Sequence, residues 1–302
     1  MNIYLKQTNE LTHLEINEII DLLNRNLFEN SKKFSKNHFY KKYRNNFLGY
    51  SFHGLLKKNN IIIGLYSVLP EKFYFNSLVI CGGQSVDTII DKKFRGNLFN
   101  FRKLANTVYD EIKKKNFQFV YGVPNKNIYL IRKRILKWHD ITNTHLYFLF
   151  SHGFIQNFLI TLKKLTNNFL NHKLELNEIE TRDNFIKSDK DELVKIKNTE
   201  FIFRNIKNNN KNYAYILKVL PSNSQNIDVA FNYLKSKRYD RVVFITNRNL
   251  KLNNAFKFPM IFNKRKILIC GKILDDTNEK LIYNNLKAIK FDLINLDIIN
   301  PN

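Results

Sequence analysis

The chain has 302 residues, of which 44% are hydrophobic and 14% aromatic, so it holds enough apolar material for two domains and is not globally disordered. Its formal net charge of +24 suggests nucleic acid, anionic membranes or phosphate-bearing ligands as partners. The lysines are spread along the chain among many asparagines and isoleucines, however, so we expect a solvated basic surface with no dedicated nucleic-acid site.

The first half is predicted to mix helices with an antiparallel meander. Apolar residues at helical spacing indicate two helices, and β-rich runs separated by polar or proline-containing segments indicate the strands. After a further strand the pattern returns to a helix with one apolar stripe, and a buried strand, a helix and a strand follow. In chain order the predicted segments are 14–28, 39–43, 51–56, 61–69, 73–81, 85–90, a helix from Asn100, 117–123, 128–136 and 146–150.

The second half is predicted to repeat this mixture more weakly. An apolar-striped helix comes first, a polar stretch then links the halves, and strands alternate with a helix that Ser222 could cap. The predicted segments are 154–170, 171–193, 213–220, 241–246, 266–271 and 291–297. We therefore expect an α+β protein with mostly antiparallel sheets and flanking helices, divided into domains at 1–150 and 151–302.

The positions of the cysteines and the lengths of the apolar stretches indicate which classes of protein are not expected. Cys81 and Cys270 lie far apart and in no metal-like spacing, so neither a disulfide framework nor a metal site is expected. No apolar stretch approaches the roughly 18 residues that a spanning helix needs, and the N-terminus lacks the pattern of a secretory signal. We expect a cytoplasmic protein without a membrane span.

The most informative segment runs from 84 to 129. A predicted strand enters the turn DKKFRGN, and the turn opens the helix that begins near Asn100. A helix that starts directly after a strand presents free backbone N–H groups and a positive dipole end to an anion. Gly96 permits the turn, while Lys92, Lys93 and Arg95 add positive charge. An ordinary strand–helix–strand crossover would show the same pattern, so both interpretations stay open on spacing alone.

The same segment resembles a known family. The stretch VDTIIDKKFRGNLFNFRKL is similar to the coenzyme-A-binding segment of GNAT superfamily N-acyltransferases, and FVYGVPNKNIY is similar to the family's next strand and its splayed end. Upstream, YKKYRNN and GYSFHGLLKKNNIIIGLYSVLPEKF are similar to the family's helix and meander. Downstream, TEFIFRN, NYAYILKV and FDLINLD resemble the degenerate second unit of a two-unit bacterial group. The resemblance implies a tandem GNAT fold.

The resemblance also implies an acyl-coenzyme A site, for acetyl-CoA or a longer acyl-CoA. In the family, amides of the turn hold the pyrophosphate, and Asn125 could hold the pantetheine amide. Leu98 and Asn100 stand where the family has its first signature Gly and its second Gly or Ala, which is a departure from the pattern. The implied cofactor-binding residues are Thr88, Ile89, Ile90, Arg95, Gly96, Asn97, Leu98, Phe99, Asn100 and Asn125.

Transfer to an amine requires deprotonation of the amine and protonation of the leaving thiolate. Tyr129 stands where the family places a tyrosine acid, although it could equally be an aromatic that packs the helix on the sheet. Asp87 is the first candidate for the base because of its strand position, although it could instead bind the acceptor or satisfy a turn. His53 and His139 are alternates, each of which could be structural.

The family resemblance leaves three classes of function open. The first is an N-acyltransferase that acts on a small amine, in particular a nucleotide-linked amino sugar, as some members of the two-unit group do for surface polysaccharide. The second is a protein or peptide N-acetyltransferase. The third is a non-catalytic protein of the same fold, or a basic nucleic-acid binder. Neither the acyl chain, nor the acceptor, nor the oligomeric state follows from the sequence.

Overall fold

The computed structural model describes residues 1–27, 34–75, 78–150, 191–208, 211–257 and 267–275, together with 282, 286 and 287. Its elements in chain order are β1 (Asn2–Gln7), α1 (His13–Leu27), α2 (Lys36–Arg44), β2 (Phe52–Lys58), β3 (Ile61–Phe75), β4 (Leu78–Ile90), α3 (Leu98–Lys114), β5 (Phe119–Gly122), α4 (Lys126–Ile135), β6 (His139–Asn143), β7 (His145–Phe150), β8 (Asp191–Ile196), β9 (Thr199–Asn208), β10 (Lys211–Leu220), α5 (Ser224–Ser236), β11 (Arg241–Thr246), β12 (Phe256–Lys257) and β13 (Leu268–Ile273). They form two compact units, and each unit contains one sheet.

The first unit contains a sheet with the strand order β1-β2-β3-β4-β5-β13-β6. Strands β1 to β4 form an antiparallel meander, and β5 pairs parallel to β4 because α3 carries the chain back across the sheet. Apolar stripes bury α3 on one face, where Leu104 and Val108 pack against Tyr66 and Val120. Helices α1 and α2 cover the opposite face, where Ile19, Leu23 and Phe39 pack against Leu65 and Val86 of the sheet.

The second unit contains a sheet with the strand order β12-β7-β11-β10-β9-β8. Strands β8, β9 and β10 form an antiparallel meander, and α5 leads to β11, which pairs parallel to β10. Both units therefore use the order β-β-β-α-β, with one parallel pair at the crossover. The apolar stripe of α5 packs Ala230, Phe231 and Leu234 against Phe201 and Phe244 of the sheet.

The predicted α+β class with mostly antiparallel sheets is confirmed. The helices predicted at 14–28, 39–43, 128–136 and from Asn100 are present as α1, α2, α4 and α3, and β11 has the predicted bounds. The N-terminal strand β1 was not predicted. The predicted segments 154–170, most of 171–193 and 291–297 lie outside the described residues.

The turn predicted at Pro70 is wrong. Pro70 lies inside β3, opposite Gly83 of β4, and β4 continues unbroken to Ile90. The last β2 pair joins Phe52 to Val68, so Pro70 lies where β3 has no β2 partner for an N–H to reach. The cap predicted at Ser222 is also wrong, because Asn223 is the N-cap of α5 and accepts from the Asn226 N–H at 2.8 Å.

The chain crosses between the two units in a way that a single cut at residue 150 does not describe. The first unit contains Met1–Ile141 and takes up the chain again from Ile269, whereas Thr142 begins the second unit. Accordingly β7 pairs with β11 in the second sheet, and β13 pairs with β5 in the first. Apolar strands of this length carry no signal for the sheet that they join, which is decided by long-range pairing.

Candidate functional site

The sheet of the first unit opens between β4 and β5. The two strands pair at Gly82–Phe119, Gly83–Val120 and Gln84–Tyr121, and then β5 ends at Gly122 while β4 runs on to Ile90. Beyond Gln84 no β5 pairing is present in the described part of β4, so this edge of the strand carries free backbone donors and acceptors. An extended ligand with amide groups can hydrogen-bond such an edge as an added strand would.

A β-bulge lies in the same stretch of β4. Leu65 pairs with Ile89 and Ser67 with Val86, so between these pairs one residue of β3 faces two of β4, and Asp87 has a left-handed φ of 45°. Val86 and Ile89 both pack into the cluster under α1 and α2, which residues three apart cannot do in a regular strand. The extra residue of the bulge turns Asp87 toward α2 and leaves local backbone groups unpaired.

Asp87, the predicted base, is held by α2. The Lys42 ammonium lies 3.0 Å from Oδ1 and 2.9 Å from Oδ2, and the Tyr43 hydroxyl donates to Oδ2 at 2.6 Å. The side chains of Lys42 and Asp87 are only 6% and 4% exposed. This arrangement fixes α2 on the bulge and gives both carboxylate oxygens a partner. Asp87 as a general base therefore stays a prediction.

The loop between β4 and α3 has the geometry of an anion-binding turn. A short 3₁₀ turn, Lys92–Phe94, is followed by Gly96 with a φ of +103° and by Asn97, the N-cap of α3. The Asn97 side chain accepts from the Asn100 N–H at 3.1 Å. Among the described residues, the N–H groups of Leu98 and Phe99 have no hydrogen-bond partner, and both side chains are exposed. The loop therefore offers two free amides and a helix dipole to an anion.

The Arg95 side chain makes hydrogen bonds to the end of β4 and to α1, and so connects the loop to these two elements. Its Nε donates to the Ile90 carbonyl at 2.8 Å, and Nη2 donates to Asn26 Oδ1 at 3.1 Å. Asp91 binds the opposite side, where it accepts from Arg25 at 2.9 Å. Burial alone would raise the pKa of Asp91, but the hydrogen bond from the Lys93 N–H and the ion pair with Arg25 outweigh it and lower that pKa below its usual value.

Asn125 and Tyr129 lie at the start of α4, past the splayed end of β5. The Asn125 carboxamide oxygen caps the helix by accepting from the Asn127 and Ile128 N–H groups at 3.1 and 3.0 Å. The Tyr129 hydroxyl donates to the Asp140 carboxylate at 2.9 Å and accepts from Lys133 at 3.2 Å. The Asp140 and Tyr129 hydrogen bonds raise the pKa of Lys133, so its charge is retained beside the phenol.

The two histidine alternates have different surroundings. His53 is fully buried, with Nε2 2.9 Å from the Thr8 hydroxyl and Nδ1 2.9 Å from the Ser67 hydroxyl. Burial lowers the pKa of His53 to about 3, so it is a neutral structural group at physiological pH. His139 is exposed at the start of β6.

Arg132 is a candidate functional residue that was not predicted from the sequence. Arg132 of α4 is buried beneath the opening between β4 and β5 and contacts Ser85 and Thr88 of β4. Its signal in the sequence is positional, because Arg132 occupies the apolar stripe between Ile128 and Ile135, where a charged residue is unexpected.

The second unit has a different connection at the equivalent place. Only residues 221–223 separate β10 from α5, whereas residues 91–97 separate β4 from α3. The side chain of Arg248 donates to the Ser222 hydroxyl at 2.7 Å and to the Ser222 carbonyl at 3.1 Å beside this short connection. The candidate site therefore lies in the first unit, where it consists of the bulged strand β4, the loop 91–97 and the opening between β4 and β5.

Comparison with known proteins finds similarity at the level of the fold. No family model and no curated protein matches the chain, but solved structures do. A GCN5-related N-acetyltransferase from Anabaena variabilis superposes with a TM-score of 0.55 at 13% identity, over 90% of this chain and 73% of that one. A probable N-acyltransferase from Enterococcus faecalis gives 0.56 at 9% identity, over 91% and 73%. Eis1 from Mycobacterium abscessus gives 0.56 at 7% identity, over 97% and 83%. The chain has a tandem GNAT fold.

Proposed function

We propose that this protein is an N-acyltransferase that binds acyl-coenzyme A in its first unit and transfers the acyl group to the amine of a small acceptor. The observation that carries the proposal is the continuity of the bulged, unpaired edge of β4 with the loop at the N-terminus of α3. Pantetheine contains amides that can pair with the edge of a strand, and the pyrophosphate is an anion that suits the free amides of Leu98 and Phe99.

Two side chains are proposed to act on the reacting atoms. Tyr129 would protonate the sulfur of the leaving group, for which its hydroxyl must turn from Asp140 toward the thioester. Asp87 would accept a proton from the acceptor amine, for which one carboxylate oxygen must exchange Lys42 or Tyr43 for the amine. Placement of the two reactants side by side in the opening would supply a further part of the rate.

For the acceptor, we propose a nucleotide-linked amino sugar. The support is the resemblance of the second half to the two-unit bacterial group and the net charge of +24, which suits an acceptor that carries a diphosphate. A protein or peptide amine is the second candidate, because the same transfer chemistry applies to any amine that can enter the site.

Coenzyme A binding is the first experiment. A ligand that binds the native state alone stabilises it by about 2.7 kcal/mol at 100 times its Kd, so acetyl-CoA should raise the thermal midpoint and give a calorimetric binding signal. Pantetheine without the nucleotide is the matched control and should bind far more weakly, because it lacks the pyrophosphate. Millimolar acetyl-CoA with neither a shift nor a heat signal would contradict the proposal.

The acceptor is tested by release of free coenzyme A thiol in the presence of candidate amines. Nucleoside-diphosphate amino sugars should support turnover, and the same sugars without the nucleotide should do so less well. Turnover with peptide amines alone would move the assignment to the second candidate. Binding of acetyl-CoA without turnover on either class of amine would favour a binding protein that has kept the fold.

A further inference from the structure

Arg132 is a buried cation at the opening between β4 and β5. The residue is 4% exposed, and its guanidinium lies over the Trp138 ring at 4.5 Å from the ring centroid. Nη2 donates to Ser85 Oγ at 3.0 Å and to Thr88 Oγ1 at 2.9 Å, and both acceptors lie on β4, Ser85 just before the bulge and Thr88 within it. The guanidinium thus faces the part of β4 that is no longer paired with β5.

The charge of Arg132 is not balanced by any anion in the described part of the chain. Its Nε is buried without a hydrogen-bond partner, Nη1 has no partner either, and no carboxylate forms an ion pair with it there. The titratable groups that sense its charge are Tyr66 of β3, Tyr109 of α3 and Cys270 of β13. Burial raises the pKa of all three, to about 12 for Cys270, so they stay neutral at physiological pH.

The carboxylate of Asp140 is engaged elsewhere. It accepts from Tyr129 and is paired with Lys133 at 2.9 Å. A buried guanidinium without an anion is costly, because desolvation penalises the charge and nothing offsets the penalty. Such a group is a candidate for a site where negative charge arrives with a ligand or develops during a reaction.

The space next to Arg132 is kept open by Gly122, the last residue of β5. A Cβ on Gly122 would lie 2.8 Å from Arg132 Nη1 and 3.0 Å from the Ser85 carbonyl oxygen. Glycine therefore allows the guanidinium to reach the point at which the two strands separate. The free Nη1 lies at this point, between the end of β5 and the unpaired edge of β4.

We infer that Arg132 stabilises the negative charge that develops on the sulfur of coenzyme A when the thioester is cleaved. The inference rests on the proposed function, and it adds a guanidinium to the candidate acid Tyr129, one helical turn earlier on α4. In the transfer, the amine nitrogen forms a bond to the thioester carbon and the carbon–sulfur bond breaks. The sulfur leaves with the electron pair as a thiolate and takes up a proton from Tyr129 to become the free thiol, while the proton lost by the amine nitrogen passes to Asp87.

The hydrogen-bond geometry of Arg132 favours a thiolate over a carboxylate on the acyl group. Recognition of a carboxylate by arginine typically uses two parallel N–H groups of one fork. Here Nη2 already gives two hydrogen bonds to Ser85 and Thr88, so neither fork that includes Nη2 is free. Arg132 therefore offers the separate N–H groups of Nε and Nη1 and a full charge, without a free two-nitrogen fork, which suits a single sulfur atom.

The test uses coenzyme A itself and needs no acceptor. An opposite charge within about 4–6 Å lowers the pKa of an acid by about 1 to 3, so the bound thiol should ionise at a correspondingly lower pH than free coenzyme A. The measurement is the pH dependence of alkylation of protein-bound coenzyme A, with the alkylated cofactor quantified by mass so that Cys81 and Cys270 do not contribute. Arg132→Met should return the thiol pKa to that of free coenzyme A, whereas Arg132→Lys should retain part of the shift.

The matched control is Arg134→Gln, which removes the same charge from an exposed position of α4 and should leave the thiol pKa lowered. A thiol pKa in the unaltered protein equal to that of free coenzyme A would overturn the inference while leaving the proposed function intact, and this measurement does not depend on the folding of any variant. A lowered thiol pKa that persists in a folded Arg132→Met would also overturn it and assign Arg132 a bracing role. Absence of coenzyme A binding would overturn the proposed function and this inference together.

Discussion

Asp87 joins a β-bulge to a helix 45 residues away in the sequence through Lys42. The side chains of the pair are almost completely buried, so removing the negative partner breaks an ion pair that is shielded from solvent. Asp87→Asn should lower the free energy of unfolding by about 3–5 kcal/mol, the usual cost of breaking a buried pair, as measured by urea denaturation. If Asp87 is also the base, the variant should lose turnover at neutral pH and recover it at high pH, where the amine deprotonates unaided.

Asp91→Asn is the matched control for Asp87→Asn. Asp91 also pairs with a cation, but its partner Arg25 is 45% exposed, and exposed pairs contribute about 1 kcal/mol or less. Equal losses of stability in the two variants would contradict the structural role of the Lys42–Asp87 pair.

Tyr129 is tested by removal of its hydroxyl alone. Tyr129→Phe keeps the ring that packs against the core of the first unit, and Lys133 and Asp140 keep each other at 2.9 Å, so the fold should survive. Loss of a general acid typically costs about 100- to 10,000-fold in rate, and the loss should appear in kcat while the Kd for acyl-CoA is unchanged. A kcat within a few-fold of the unaltered protein would remove Tyr129 from the mechanism.

His53 makes the first unit sensitive to acid. Its pKa is about 3 in the folded protein and about 6.5 in the unfolded chain, so between these values only the unfolded chain takes up the proton. Stability from this group is complete above pH 6.5 and falls by about 1.4 kcal/mol per pH unit as the pH decreases toward 3. His53→Gln should flatten the dependence of the free energy of unfolding on pH in this window, as measured by urea denaturation at several pH values.

At the scale of elements, ligand contact by the loop between β4 and α3 can be tested separately from the backbone strain that a substitution causes. Gly96 and Gly49 both have a positive φ, +103° and +73°, and a Cβ on either would enter open space. Valine at either position should cost stability through the same backbone strain, on the order of 1–2 kcal/mol. Only Gly96→Val should also raise the KM for acyl-CoA, by roughly tenfold or more, because its side chain stands beside the free amides of Leu98 and Phe99. An unchanged KM would place the pyrophosphate elsewhere.

The elements predicted well from the sequence are those whose signal is local. Periodic apolar stripes identify α1, α3 and α4, and the turn DKKFRGN locates the loop because glycine and asparagine are needed there. The bulge at Asp87, the position of Pro70 within β3 and the return of β13 to the first sheet depend on pairing between distant strands. The charge of Arg132 in the core could be noticed in the stripe of α4, but its partners on β4 could not.

At the scale of the whole molecule, the two units repeat one order of elements but differ where a ligand would bind. Both have a meander, a helix and a parallel strand, and their strand pairs at the crossover separate after Gln84 and after Ile216. The first unit follows the meander with the glycine-containing loop, and the second follows it with residues 221–223 alone. The apolar patterns that build a core are therefore present in both units, whereas the glycine-containing loop of the candidate site occurs at the crossover of the first. Among the described residues, no helix is long and apolar enough to cross a bilayer.

The net charge of +24 allows a last prediction, which distinguishes nonspecific attraction by a basic surface from binding at a dedicated nucleic-acid site. Lysine and arginine spread over the whole chain should attract any polyanion through its phosphates, and phosphate contacts carry no base-sequence information. Duplex DNA should therefore bind weakly and without sequence preference, and the logarithm of the binding constant should fall with the logarithm of salt concentration by about 0.9 for each phosphate neutralised. Filter binding or fluorescence anisotropy at several salt concentrations, with duplexes of scrambled sequence as the control, measures both quantities. Tight binding to one sequence at physiological salt would instead promote the nucleic-acid alternative, because nonspecific attraction by a basic surface cannot distinguish sequences.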